Sequence, residues 1–477
     1  MINFTITRSA LALLAAGILT GCSLAPKYER PAAPVATTFP DAPAEAAAQN
    51  FAETGWREFF PDQRLQALIA SALTENRDLR IAALRIEEAR AIYGIQWADR
   101  VPNLNGQASG SRSRTPGILT GRPGGPLITD AYQVGLSIPA FELDFFGRVR
   151  NLSDAALAQY LATDEARRAA QISLVSEVAK AYLTERAFAE QQDLAQRTFE
   201  ARESSYKLAK QRFDVGASSA LDLRQNETLV QSARASLAAL KRQRARALNA
   251  LTLLVGKPLN DLPAAQAFST QNIVTDIPAG LPSDLLERRP DIRAAEHRLL
   301  ASNANIGAAR AAFFPRISLT AGLGTASNEL SGLFESGSST WSFVPQLVLP
   351  IFDAGRNSAN LDLAKTRNNI AVADYEKTIQ VAFREVSDAL VARATLDEEI
   401  DAQRAVQDAQ AERLKLADLR YQSGVASSLD VLDAQRELFT AQQTLVQVRL
   451  LRLTNAIDLY RSLGGGLNET TQTAEKK

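Results

Sequence analysis

One cysteine, one histidine and one methionine stand among the 477 residues of this chain. A metal site or a His- or Cys-based catalytic centre therefore has almost nothing to be built from. No nucleophile–base set and no phosphate loop is written in the sequence, so neither an enzyme nor a cofactor is expected. Net charge is missing as well. Lys and Arg number 53 and Asp and Glu number 53, leaving no global field to draw in nucleic acid or an anionic membrane surface. Although 46% of the residues are hydrophobic, no run of about 20 apolar residues occurs beyond the N-terminus, which excludes a spanning helix. If such a chain crosses a membrane, it does so with strands.

The N-terminus is more explicit. Arg8 precedes an apolar run from Ala10 to Leu19, followed by Leu19-Thr20-Gly21-Cys22. The run is too short to span but suits a signal peptide over residues 1–21. The tetrapeptide resembles a bacterial lipobox, in which the Cys is diacylated and becomes the mature N-terminus; an ordinary signal peptide with an incidental Cys is the alternative. Two or three acyl chains hold far more firmly than one. Ser23, in place of an Asp after the Cys, favours the outer membrane over the inner. Residues 22–55 carry Pro26, Pro31, Pro34, Pro40 and Pro43 and read as an extended tether.

The rest of the chain is written twice. Arg212-Phe213-Asp214-Val215-Gly216-Ala217-Ser218-Ser219-Ala220-Leu221-Asp222 recurs as Arg420-Tyr421-Gln422-Ser423-Gly424-Val425-Ala426-Ser427-Ser428-Leu429-Asp430, with Arg212 and Arg420 lying 208 residues apart. Gly147-Arg148 matches Gly355-Arg356, Gly256 matches Gly464, and upstream Asp78-Leu79-Arg80 matches Asp291-Ile292-Arg293. The expected units are 56–256 and 290–464, joined by 257–289 and followed by a tail over 465–477. Each holds a moderate helix (about 75–100 and 290–312), two strands, and two long helices joined by a tight turn (hairpins over about 150–255 and 357–463). The stretches 150–213 and 357–421 contain neither Pro nor Gly, and each would be about 95 Å long as a helix. Gly216 and Gly424 suit the left-handed residue that ends a helix. Ser219…Asp222 and Ser427…Asp430 resemble capping boxes that start the next one. Leu432, Phe439, Val446, Leu453 and Tyr460 recur every seven residues, a coiled-coil period, with Leu450 and Ile457 on the adjacent row.

Four segments have strand character, at about 103–113, 132–143, 316–327 and 341–350. Their alternation of apolar with small or polar residues over about ten positions is the pattern of membrane barrel strands. Four strands leave open edges, which lipid does not tolerate, and small membrane barrels have about eight. The strands must therefore be shared among copies, most simply three, giving twelve strands and twelve long helices.

Taken together, the lipobox, the duplicated unit, the two tips, Phe146-Gly147-Arg148, Phe352-Asp353-Ala354-Gly355-Arg356, Leu432-Asp433-Ala434-Gln435-Arg436 and Leu463-Gly464-Gly465-Gly466 resemble the TolC-like outer membrane factors, and more narrowly the NodT/OprM efflux lipoproteins. The resemblance covers nearly the whole mature chain. It implies an α+β membrane protein whose trimeric 12-stranded β-barrel continues into a 12-helix coiled-coil barrel, with an equatorial collar from 56–75, 257–289 and the C-terminus. It implies a passive exit duct of a tripartite pump, partnered by a periplasmic adaptor and an inner-membrane RND transporter. Carried over residue by residue, the periplasmic gate falls on Leu429, Asp433, Arg436 and Tyr421, and the adaptor-contact tips on Val215, Gly216, Ala217, Ser218, Ser423, Gly424, Val425 and Ala426. Spacing agrees in placing 429, 433 and 436 on one helical stripe, apart from the 432–439–446 row. Gln422 departs from the family, whose lipoprotein members often carry an Arg beside the tip tyrosine. Type I protein secretion, metal efflux and a structural envelope fibre are the rival readings, and cargo is not written in the sequence.

Overall fold

The structure is a computed structural model and describes residues 23–39, 53–116, 118, 125–271, 273–274 and 282–471. The signal peptide and Cys22 lie outside the described residues. Among those residues the helices are α1 (Trp56–Phe59), α2 (Gln63–Glu75), α3 (Arg77–Ala98), α4 (Arg148–Asp214), α5 (Ala220–Val255), α6 (Pro282–Arg288), α7 (Pro290–Ala311), α8 (Arg356–Gln422) and α9 (Ser428–Ser462). The strands are β1 (Asn105–Thr115), β2 (Leu127–Glu142), β3 (Arg316–Ser327) and β4 (Ser339–Val348). The expected helix near 75–100 begins at Arg77, because Asn76 takes an extended conformation and its side chain caps α3 by accepting from Leu79 N at 2.8 Å. The second strand starts at Leu127, before the alternation becomes visible in the sequence, because it stays paired with β1 out to Thr115.

Two compact units are present, each drawing on both repeats. One gathers Arg85–Thr163, Ala294–Tyr375 and the described N-terminal residues up to Ala32. Its sheet is antiparallel throughout, in the order β1-β2-β3-β4, so β1 and β4 are its open edges. Every residue of β4 is exposed, including Trp341, Phe343 and Leu347, and β1 is nearly so. At the centre Gly135 faces Gly324. An irregularity between Ile138 and Phe141, with Ala140 at φ 43°, bends β2 before it ends. There Glu142 accepts two bonds from Arg148 (2.8 and 2.7 Å) and an ion pair from Arg316 (2.6 Å), fastening the start of α4 to the start of β3.

Residues 23–32 have no regular secondary structure, yet they are fastened along α7. Asn303 donates to Pro26 O (2.8 Å), Arg310 donates to Leu24 O (3.1 Å), and Arg30 holds Glu296 through two 2.8 Å bonds. A Cβ at Gly307 would lie 2.7 Å from Ala25 N, so the close approach of this strap requires glycine.

The other unit comprises Ala33–Leu84, Asp164–Arg293 and the described residues from Glu376 onward. Its densest core is aromatic: the Phe59 ring stacks on Tyr460 at 4.0 Å, beside Trp56, Phe60 and Tyr182, all fully buried. Buried Asp62 caps α2 and accepts from Tyr182 Oη (2.7 Å) and Gln271 (2.8 Å). Burial and that bond push the Tyr182 phenol well above its ordinary range. On α9, Leu432, Val446, Leu453 and Tyr460 are buried and Phe439 is half-buried, which is the heptad row turned inward, with Ile457 of the adjacent row buried beside it. Leu396, Ile400, Leu445 and Val448 zip α8 to α9, while Ala195, Leu237 and Leu240 do the same for α4 and α5.

Candidate functional site: the paired hairpin tips

Both hairpins turn by the same device. In the first, Gly216 at φ 74° follows the helix end, and Ala217 N reaches back to Arg212 O at 2.7 Å. In the second, Gly424 sits at φ 73° and Val425 N reaches Arg420 O at 3.0 Å. These bonds absorb the carbonyls that a helix C-terminus leaves over. Ser219 and Asp222 then form a complete capping box at the start of α5. At the start of α9 the Asp430 carboxylate accepts from both Ser427 N and Ser427 Oγ at 3.1 Å. The loop residues are exposed between these anchors, with Val215 at 78% and Val425 at 70%, while Ala217, Ser423 and Gly424 are exposed and Ser218 and Ala426 half-buried.

Two hydrogen bonds tie the tips together. Arg212 Nη1 donates to Tyr421 Oη at 2.9 Å, and Ser428 Oγ donates to Asp222 Oδ1 at 3.0 Å. Hydroxyl donation from Ser219 and Ser428 holds the Asp222 carboxyl below the usual aspartate range. A lowered folded-state pKa stabilises the tip above the ordinary aspartate value of about 4, and that stability is lost as pH falls through the folded value. A cavity of about 450 Å³ lies between the tips, lined by Arg212, Ser218, Asp222, Tyr421 and Ser428 among others.

The four gate candidates occupy different situations. Leu429 is 55% exposed. Asp433 is half-buried and holds two guanidinium groups, Arg436 Nη2 at 2.5 Å and Arg413 Nη2 at 2.7 Å. Arg436 also reaches Glu437 at 3.1 Å. Tyr421 is engaged by Arg212, and Gln422 donates to Asp418 at 2.6 Å. Sequence reasoning missed Arg212 and Arg413. A usable signal existed for Arg413, since it and Asp433 stand ten residues on either side of Ser423, and antiparallel helices bring mirrored positions together.

Replacing Gly424 by Val is expected to distort the second tip and leave the helices formed. No atom stands within 4 Å of the added Cβ, so the cost is backbone strain of about 1–3 kcal/mol at the left-handed residue. Hydrogen exchange should accelerate in the turn around residues 420–428 and stay unchanged beyond Leu432. Unchanged exchange in the turn would refute the assignment of strain to Gly424.

A four-stranded sheet with exposed edge strands, and two 67-residue helices that end in paired tips, define a helix-rich α+β chain. The chain belongs to the outer membrane efflux protein family, whose sequence profile matches residues 68–257 and 281–465. It is 48% identical over 478 residues to the antibiotic efflux pump outer membrane protein ArpC of Pseudomonas putida, covering 99% of this chain and 98% of that one. It is 46% identical over 451 residues to the cation efflux system protein CusC of Escherichia coli, covering 94% and 96%. Among solved structures it resembles the open-state outer membrane channel MtrE of Neisseria gonorrhoeae, with a TM-score of 0.86, 44% identity and coverage of 95% and 100%. The protein is thus an outer membrane component of an efflux pump.

Proposed function

We propose that three copies of this chain close twelve strands into a membrane barrel and twelve long helices into a periplasmic conduit. The observation that carries this reading is the sheet itself, with β1 and β4 as open edges and both faces of β4 exposed. Lipid does not tolerate open edges. Pairing β4 of one copy with β1 of the next satisfies every edge. Acyl chains on Cys22 would add a second hold on the outer membrane. Native mass spectrometry of the detergent-solubilised protein is expected to give a trimer; a stable monomer or dimer overturns the reading.

In this assembly the exposed tips, with Val215 and Val425 outermost, are the surface offered to the hairpins of a periplasmic adaptor, itself held by an RND transporter. The two relatives are named for antibiotic and for cation efflux at nearly equal identity. This supports a duct that is indifferent to cargo, with selection resting on the transporter; for this chain we take the cargo to be drugs or other small molecules.

Leu429, Asp433 and Arg436 form the constriction of the closed duct, and Arg413 fixes Asp433 in place. Replacing Asp433 and Arg436 by Ala is expected to raise single-channel conductance in planar bilayers. Adding Leu429→Ala should raise it further. The hairpin should stay folded, because its packing rests on Leu432, Val446 and Leu453, and trimers should persist, because the strand edges that join the copies are untouched. Wild-type conductance in the triple variant, with trimers intact, would place the constriction elsewhere.

A further inference from the structure

Arg202 on α4 is 5% exposed, although arginine is almost never buried without a partner. One of its nitrogens, Nη1, makes a long 3.4 Å bond to Leu229 O, and the guanidinium lies 5.8 Å from the centre of the Phe439 ring. Nε and Nη2 have no hydrogen-bond partner among the described residues. These two nitrogens form the side-on edge that fits a carboxylate. The described residues show that edge in use elsewhere: Arg30 on Glu296, Arg148 on Glu142, Arg186 on Glu185 and Arg289 on Asp291 each bond both carboxylate oxygens through Nε and Nη2. At Arg202 no carboxylate of the described chain takes that role.

Arg202 lines a cavity of about 250 Å³ whose other walls include Leu194, Leu414, Leu438, Phe439 and Gln435. Gln435 Oε1 is buried and likewise has no partner among the described residues, and rotation of its amide offers N–H donors to the same space. The lining sets the buried Arg202, a second guanidinium from Arg197 and the polar Thr198, Gln435 and Gln442 against those apolar walls, which matches a molecule with a carboxylate at one end and an apolar body. We infer that this cavity is a binding site for a small organic monocarboxylate, held by Arg202 and packed between α4 and the α8–α9 hairpin. Burial without a counter-charge pushes the Arg202 guanidinium below its ordinary range, as an uncompensated cation requires. An occupant would bond to α4 while packing on Leu414 of α8 and Phe439 of α9, and so would staple the two hairpins within one chain.

Benzoate is a suitable probe, with benzamide as its uncharged counterpart. Calorimetric titration of the purified oligomer, in buffer free of chloride and other carboxylates, is expected to show saturable benzoate binding at one site per chain. Benzamide should bind at least about tenfold more weakly, the scale of a lost charge-assisted bond. Arg202→Met should weaken benzoate by about the same factor. Without benzoate its thermal midpoint should equal or exceed that of the wild type, since an unpaired buried charge has been removed; benzoate should raise the midpoint of the wild type alone. Should the methionine variant fail to assemble, Arg202→Gln, which keeps a donor for Leu229 O, carries the same expectation. No benzoate binding to the wild type, equal binding of benzamide, or binding by either variant within twofold of wild type would each overturn the proposal. Chloride binding as tightly as benzoate would also overturn it, because the apolar lining would then have no role.

Discussion

Valine at position 324 is expected to prevent the β2–β3 pair from forming and, with it, stable insertion in the outer membrane. Gly324 directly faces Gly135. A Cβ on Gly324 would lie 2.3 Å from Val134 O and 2.7 Å from Gly135 Cα, and one on Gly135 would lie 2.5 Å from Leu323 O. The obstacles are backbone atoms, which cannot rotate aside as a side chain would. The penalty should therefore exceed the about 1–3 kcal/mol of ordinary overpacking. It falls where the two repeats join, so separating β2 from β3 splits the sheet into two hairpins, each only marginally stable alone. Heat-modifiable oligomers on gels and protease resistance of the strand region should both be lost. Gly94→Ala is the internal contrast: nothing lies within 4 Å of its Cβ inside α3, and it should be neutral or slightly stabilising, by up to about 1 kcal/mol. Gly324→Val assembling as well as Gly94→Ala would disprove the close approach.

Loss of Arg289 should be nearly as damaging to the other unit. This side chain, 7% exposed, donates to Asp291 Oδ1 and Oδ2 (3.0 and 2.6 Å), to Glu385 Oε2 (2.9 Å) and to Ser462 O (2.9 Å). It thereby joins the first turn of α7, the middle of α8 and the last residue of α9. Arg289→Met removes the cation and leaves a buried carbonyl and two carboxylates short of donors; Glu385 keeps Arg461 at 3.2 Å and Asp291 keeps the backbone N–H of Ile292 at 2.9 Å. Breaking a fully buried pair from one side costs about 3–5 kcal/mol, and water reaching Asp291 and Glu385, 38% and 22% exposed, offsets part of that here. The thermal midpoint in detergent should fall clearly. Arg289→Lys should recover only part of it, because an ammonium cannot span both Asp291 oxygens and Glu385. A methionine variant melting with the wild type would mean that the network is not holding these helices.

What the sequence disclosed about this fold was mostly local. The left-handed glycines at 216 and 424, the Ser219–Asp222 box and the heptad row on α9 are short-range patterns that follow from backbone geometry, and all appear in the structure. Pairing across a hairpin was half legible: Arg244 meets Glu185 at 2.9 Å, Arg452 meets Asp397, and Arg413 meets Asp433, each pair nearly symmetric about its turn. Such partners can be read by folding the sequence at the glycine. Long-range fastening was not legible. The strap over residues 23–32 looks like a tether because Pro and Ala carry no pattern; its attachment depends on single side chains such as Arg30, paired with a glutamate 266 positions away. The buried edge of Arg202 was hidden for a related reason, since nothing in a helical heptad separates a solvated arginine from one turned into the packing.

The two bonds between the tips set the energy scale on which the tips part. Each is an exposed or half-exposed hydrogen bond of about 1 kcal/mol, so together they favour the joined tips over the parted ones by about thirtyfold. That is a catch and not a weld, springing open unaided a few per cent of the time. Beside it, Val215 and Val425 stand largely in water, and covering a valine returns about 1.5–3 kcal/mol. A partner that covers both only once the tips have parted gains more than the catch holds. Apolar contact reserved for the parted state would therefore be enough to release it, with no energy drawn from the transported load.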